Sequence, residues 1–62
     1  MKIYNVTVDI LTGDGRVYCR AMYPIKTRDA EEAAAIVHND YSLRNEPNFR
    51  ISEVKEVKTD AN

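Results

Sequence analysis

The chain has 62 residues, of which 44% are hydrophobic and 31% are charged. This mixture is typical of one small globular domain and excludes a disordered, collagen-like or multidomain protein. Nine basic and ten acidic side chains give a net charge of −1, so bulk charge does not favour binding to nucleic acid or to an anionic membrane. The single cysteine, Cys19, excludes an intrachain disulfide, and the first residues lack the apolar core of a signal peptide. We therefore expect a cytoplasmic protein of near full length.

Two strands joined by a tight turn are predicted at the start of the chain. Apolar and polar side chains alternate from Tyr4 to Ile10, which is the period of a half-buried strand. A second alternating segment runs from Arg16 to about Lys26, and Gly13 and Gly15 would supply the positive φ angles of a hairpin turn between them. Pro24 cannot donate to a strand ladder, which predicts an edge strand or a strand end. The residues that alternate toward the core side of the second strand are Val17, Cys19, Ala21, Tyr23 and Ile25.

A helix is predicted from Ala30 to Tyr41 or Ser42. Asp29 has the residue type and position of a helix N-cap, and Glu32, three residues later, has those of a capping-box acid. The small and apolar residues at helical spacing that would face the sheet are Ala30, Ala33, Ala34, Val37 and Tyr41.

A loop from Ser42 to Asn48 and a third strand from Phe49 to Val57 complete the predicted elements. Val54 breaks the alternation that Phe49 and Ile51 begin, and a bulge near Ser52 and Glu53 would restore it. The order of elements predicts an α+β fold, with a three-stranded antiparallel sheet of order 2-1-3 and one helix packed on one face. We assign residues 1–58 to a single ββαβ domain and residues 59–62 to a polar C-terminal tail.

The residue types that enzymes and metal sites use are scarce. His38 is the only histidine and borders the apolar helix stripe, where a helix-surface residue is the simplest interpretation. Cys19 falls among inward-facing strand positions, where a free cysteine acts as a small hydrophobe, so a Cys19–His38 pair of nucleophile and base is disfavoured. One histidine and one cysteine do not supply a structural metal site. We predict a protein that is not an enzyme and needs no cofactor or metal.

The predicted sheet face opposite the helix is the candidate binding surface. On the second strand this face carries Tyr18, Arg20 and Met22. Tyrosine, arginine and methionine are all enriched at protein interfaces. The five residues that we predict to contact a partner are Tyr18, Arg20, Arg50, Glu53 and Lys55. The arginines would bind carboxylates, the tyrosine would be an anchor, and the last two residues would set the register. The competing interpretation is that charges of mixed sign on the last strand only keep an exposed edge soluble.

Two segments resemble a known family. They are Pro24–Ala33, followed by Tyr41, and Phe49–Val54 with its interrupted alternation. Over about residues 24–55, the chain resembles the small inhibitors of bacterial RNA polymerase that podoviruses of enteric bacteria encode. The resemblance implies a ββαβ protein that takes part in host takeover.

The same resemblance implies a target on the largest subunit of the polymerase. The family binds its target with two arginines on the last strand, and their positions fall on Glu53 and Lys55 here. A second, shorter resemblance is to the uracil-DNA glycosylase inhibitors of small Bacillus phages, which share the element order and the Tyr-x-Val-Thr start of Tyr4–Thr7. The first hypothesis is therefore a phage-type inhibitor of a host enzyme, most simply RNA polymerase.

Three alternatives stay open at this point. One is a small structural or homodimeric assembly protein without inhibitory activity, because a chain this short has little stability of its own. Another is an inhibitor of a different host enzyme or defence complex. Direct nucleic-acid binding through Arg16, Arg20 and Arg50 is disfavoured by the near-neutral total charge.

Overall fold

The computed structural model describes residues 1–44 and 48–57. Its elements in chain order are β1 (Lys2–Leu11), β2 (Val17–Thr27), α1 (Ala30–Leu43) and β3 (Phe49–Val57). The strands form one antiparallel sheet of order β2-β1-β3. This confirms the predicted α+β fold and strand order. The predicted tail, residues 59–62, lies outside the described residues, as do Lys58 and the middle of the loop between α1 and β3.

The core lies between β1 and α1. The buried apolar side chains are Tyr4, Val6, Val8, Ala33, Val37 and Tyr41. Alternation on β1 supplies the first three and helical spacing on α1 supplies the others, so two sequence periods meet in one layer. Ala33 leaves room for the helix backbone to lie close to the sheet. The partly buried side chains that surround this core are Ile10, Tyr23, Ile25, Phe49, Ile51 and Val54.

The turn between β1 and β2 uses one glycine rather than two. Of the two glycines in this turn, Gly15 is the one with a positive φ, which is 88°. Its N–H donates to the Thr12 carbonyl at 3.0 Å, and the Thr12 N–H donates to the Arg16 carbonyl at 2.8 Å. The prediction that Gly13 also needs a positive φ is therefore wrong.

A bulge next to this turn changes which residues of β2 face the helix. Ile10 pairs with Cys19 and Leu11 pairs with Val17, so Tyr18 is the extra residue. Val17, which was predicted to share the core side with Cys19, is instead opposite Leu11 and 45% exposed. Cys19 keeps its predicted side but is also exposed. This end of the hairpin therefore projects beyond the cover of α1.

The start of α1 confirms Asp29 as the N-cap, because its carboxylate accepts the Glu32 N–H at 2.8 Å. The predicted capping-box role of Glu32 is wrong. Its side chain accepts a hydrogen bond from the Thr27 hydroxyl and lies 3.6 Å from the Arg28 guanidinium. The helix continues to Leu43, slightly past its predicted end. Among the described residues, no helix has the length and apolar character needed to cross a membrane.

The predicted bulge in β3 is confirmed. Thr7 pairs with Glu53 and Val8 with Ile51, so Ser52 is the inserted residue. The Ser52 hydroxyl donates to the Thr7 carbonyl at 3.4 Å. Because of the insertion, Val54 packs on the helix side while Glu53 lies on the opposite side, which we call the open face.

We expect Val8→Ala to lower the free energy of unfolding by about 2 kcal/mol, because it removes two buried methyl groups and leaves a cavity. Val17→Ala is the matched control, since it removes the same atoms from an exposed position and should cost about 0.5 kcal/mol or less. Urea denaturation followed by circular dichroism measures both. Equal losses in the two variants would contradict this placement of the core.

Candidate functional site: the open face of the sheet

Asp9 lies on the open face between two arginines of the neighbouring strands. The sheet register places it opposite Arg20 of β2 and opposite Arg50 of β3. Arg20 Nε donates to Asp9 Oδ1 at 2.7 Å, and Arg20 Nη2 lies 3.4 Å from Asp9 Oδ2. Arg50 Nε donates to Asp9 Oδ2 at 3.3 Å. We call this arrangement the Arg20–Asp9–Arg50 triad.

The arginines themselves enclose the carboxylate of the triad. Asp9 has no exposed surface, whereas the side chains of Arg20 and Arg50 are 62% and 58% exposed. The hydrogen bond from Arg20 is the largest influence on the pKa of Asp9 and lowers it, while burial opposes this effect. The charge of Arg20 and the contacts from Arg50 lower it further, so the pKa of Asp9 lies below its ordinary value of 3.8. Asp9 is therefore a firmly ionised anchor for two cations.

The outer ends of the two guanidinium groups are available for binding. Within residues 1–44 and 48–57, Nη1 of Arg20 and both terminal nitrogens of Arg50 have no hydrogen-bond acceptor. Asp9 fixes the position of each arginine through its Nε, which reduces the rotamer entropy that a ligand would otherwise have to overcome. Guanidinium groups held in this way suit planar anionic acceptors such as carboxylates. Asp9 is a poor general base, because its lone pairs are already used and its pKa is low.

Glu53 and Lys55 continue the open face along β3. Glu53 pairs with Thr7 and Lys55 pairs with Asn5, and both side chains are exposed. The hydrogen bond and the charge of Asp9 are the main causes of the raised pKa of Arg20, and the charge of Glu53 adds to them. The open face thus has a charged row that begins at the triad and runs away from the hairpin turn.

Tyr18 and Met22 supply exposed apolar surface on either side of Arg20 along β2. Tyr18 is 76% exposed at the bulge, and Met22 is exposed opposite Thr7. The five predicted contact residues are all exposed in the structure, and the structure brings Arg20 and Arg50 together on one carboxylate. The central member of that arrangement, Asp9, is not among the predicted contact residues. Its pairing partners become visible once the registers of both strand pairs are known.

A concave surface lies on the helix side, between α1 and the edge of β2. Its volume is about 400 Å³, and its walls include Tyr23 and Ile25 of β2 with Ile36, Tyr41 and Leu43 of α1. The hydroxyls of Tyr23 and Tyr41 are hydrogen-bonded to each other. Burial, followed by this hydrogen bond, raises the pKa of Tyr41 to about 12, so its phenol is protonated at neutral pH. The groove offers mainly apolar contact.

Cys19 and His38 lie over opposite edges of the sheet. Cys19 belongs to β2, whereas the His38 ring packs against Phe49 of β3, with 5.3 Å between the ring centres. The expectation that Cys19 is a small buried hydrophobe is wrong, because the helix ends before covering it. In the described ranges, no group of three or more histidine, cysteine, aspartate or glutamate side chains is arranged to hold a metal ion.

Comparison with known proteins adds no relative to these observations. The chain matched no model of a protein family, no curated protein and no solved structure. What the open face can bind therefore follows from its own residues and contacts.

We expect Asp9→Asn to lower the free energy of unfolding at neutral pH. The variant's free energy of unfolding should also change less with pH in the acidic range than that of the wild type. The folded-state pKa of Asp9 is depressed, so its ionic contribution is present above the ordinary value of 3.8 and is lost as the pH falls through the lowered value. The wild type should therefore lose stability below about pH 4 more steeply than the variant does. Urea denaturation at a series of pH values measures this difference.

Asp14→Asn is the control for that experiment. The pKa of Asp14 is also lowered, chiefly by the hydrogen bond from the Thr12 hydroxyl, but this carboxyl lies in the exposed turn. Its removal should lower stability at neutral pH less than Asp9→Asn does, because water screens the contacts of an exposed carboxylate. Parallel pH curves for the wild type and Asp9→Asn would show that the triad does not stabilise the fold.

Proposed function

We propose that this chain is a small protein-binding module of the phage type, which inhibits a host bacterial enzyme by occupying its surface or a channel. RNA polymerase is the proposed target, and the bacterial cytoplasm, where that enzyme works, is the proposed location. The observation that carries the proposal is the Arg20–Asp9–Arg50 triad on a sheet face that no part of α1 covers. The resemblance of residues 24–55 to polymerase inhibitors supports the choice of target.

The shape of the molecule suits this role. The described chain is elongated and measures 45 by 19 by 14 Å. One broad side of such a body is comparable with the roughly 800 Å² that each partner buries in a standard protein interface. Since the helix occupies one side of the sheet, the other side can serve entirely for binding.

The charges of the open face define the chemistry of the partner. Sequence and register place four basic and two acidic side chains there, namely Arg20, Lys26, Arg50 and Lys55 against Asp9 and Glu53. The face thus has an excess of two positive charges, although the whole chain carries −1. An acidic protein surface complements this pattern, and such complementarity favours specificity and rapid association. Tyr18 and Met22 add the apolar contact that a purely electrostatic surface would lack.

The first experiment is to recover proteins from a bacterial lysate with the tagged chain and to identify them by mass spectrometry. Recovery of RNA polymerase, followed by inhibition of transcription by the purified enzyme, is the expected result. Recovery of another enzyme would retain the inhibitor role and reject the polymerase as target. If no protein is recovered and transcription is unaffected, the assembly protein without inhibitory activity becomes the better interpretation.

We expect Arg20→Lys to weaken binding to the recovered partner about tenfold, because lysine keeps the charge but cannot both hold Asp9 through two planar donors and present a third to the partner. Arg28→Lys is the matched control on the helix side of the molecule, where the arginine is exposed beside Glu32, and it should change affinity less than about twofold. Surface plasmon resonance measures both variants.

Tyr18→Ala tests the bulge at the hairpin end of β2, two residues from Arg20, without touching the triad. Its side chain is exposed, so its removal should leave the fold intact and still weaken binding about tenfold or more. Unchanged affinity in both Arg20→Lys and Tyr18→Ala would show that the partner binds elsewhere.

A further inference from the structure

The outer edge of β3 is open to another strand. Within residues 1–44 and 48–57, β3 pairs only with β1, so its other side presents backbone donors and acceptors from Phe49 to Val57. The second sheet edge belongs to β2, where Pro24 removes one backbone donor from the middle of the strand. Of the two edges, β3 is therefore better suited to strand pairing.

The charges on β3 complement a second copy of the same strand. Glu53 and Lys55 lie on the open face, one on each side of Val54 along the chain. Both are exposed, and neither has an ion-pair partner in the described part of the chain. A two-fold axis perpendicular to the sheet at Val54 would bring Glu53 opposite the partner's Lys55 and Lys55 opposite the partner's Glu53. On the helix side, Val54 would meet its own counterpart.

We propose that β3 pairs antiparallel with β3 of a second copy about this axis, forming a homodimer with one continuous six-stranded sheet. The inference does not rest on the proposed inhibitory function, since it depends only on the edge and its charges. It also differs from the interpretation that these charges merely keep an edge strand soluble.

The charge pattern selects a single register for this pairing. Shifting one strand by two residues in either direction places Glu53 opposite the partner's Glu53 or Lys55 opposite the partner's Lys55. Like charges directly opposite each other destabilise an antiparallel pair, whereas opposite charges stabilise it. The Ser52 bulge, which separates Glu53 from Ile51, limits the paired stretch to the part of β3 that holds the complementary charges.

The symmetry also determines what the dimer would present. An axis perpendicular to the sheet keeps both helices on one side and both open faces on the other. The two Arg20–Asp9–Arg50 triads would then lie on one shared surface, with the Glu53–Lys55 pairs between them. A partner with repeated acidic sites could contact both triads at once and bind with increased avidity.

Sedimentation velocity from micromolar to millimolar concentrations tests the proposal, and a monomer–dimer equilibrium is expected for the wild type. Lys55→Glu and Glu53→Lys should each weaken dimerisation about tenfold or more, because both symmetric ion pairs become repulsive. The double variant Glu53→Lys/Lys55→Glu exchanges the charges and should restore dimerisation. Lys26→Glu, an equal reversal on the β2 edge, is the control and should change the dissociation constant less than about twofold.

Hydrogen exchange on the wild type gives a second measurement that does not depend on the folding of any variant. Backbone amides of β3 should become more protected as the concentration rises, while those of β2 should not. A wild type that stays monomeric at every concentration overturns the proposal. The proposal is also overturned if the single charge reversals leave dimerisation unchanged. It is overturned as well if they abolish dimerisation and the double variant does not restore it.

Discussion

The central strand has to be covered on both sides, although the chain has only one helix to cover it. On the helix side, β1 contributes Tyr4, Val6 and Val8 to an ordinary apolar core. On the open face, the stems and guanidinium groups of Arg20 and Arg50 close over Asp9 while their charged ends stay in water. Covering β1 with two arginine side chains needs no second helix or sheet. It explains how a chain of this size can keep one whole face of its sheet accessible and still protect the backbone of its middle strand.

The same arrangement separates stability from recognition. The core on the helix side is apolar and depends little on charge, whereas the open face has an excess of positive charge that the near-neutral total conceals. Residues on the two sides alternate along each strand, so a substitution on one side leaves the other largely unaffected. Binding properties could therefore change through residues such as Tyr18 or Lys55 without repacking of the core.

The sequence was sufficient for the elements and their order, because hydrophobic periods of two and of 3.6 residues are local signals. It was also sufficient for the bulge at Ser52, since an inserted residue shifts the period visibly. The bulge at Tyr18 escaped prediction because Arg16, Val17 and Tyr18 leave the alternation intact, and only pairing with β1 reveals the extra residue. Glu32 was misassigned because its carboxylate had two competing donors, the Asp29 backbone and the Thr27 hydroxyl, at similar sequence separations. Asp9 is recognisable as the centre of the site only from the β1–β2 and β1–β3 registers together. The residue pattern of a single strand does not contain that information.

The hairpin end between β1 and β2 extends past the last turn of α1, and a Cβ atom added at Gly13 would meet no heavy atom within 4 Å. Growth of the chain at this position would lengthen two paired strands and leave every core contact in place. The length of this hairpin can thus change without disturbing the core. Descendants of one ancestral sequence could reach surfaces of different depth by changing the reach of this hairpin, and a reporter peptide inserted there would stand clear of both the helix and the triad.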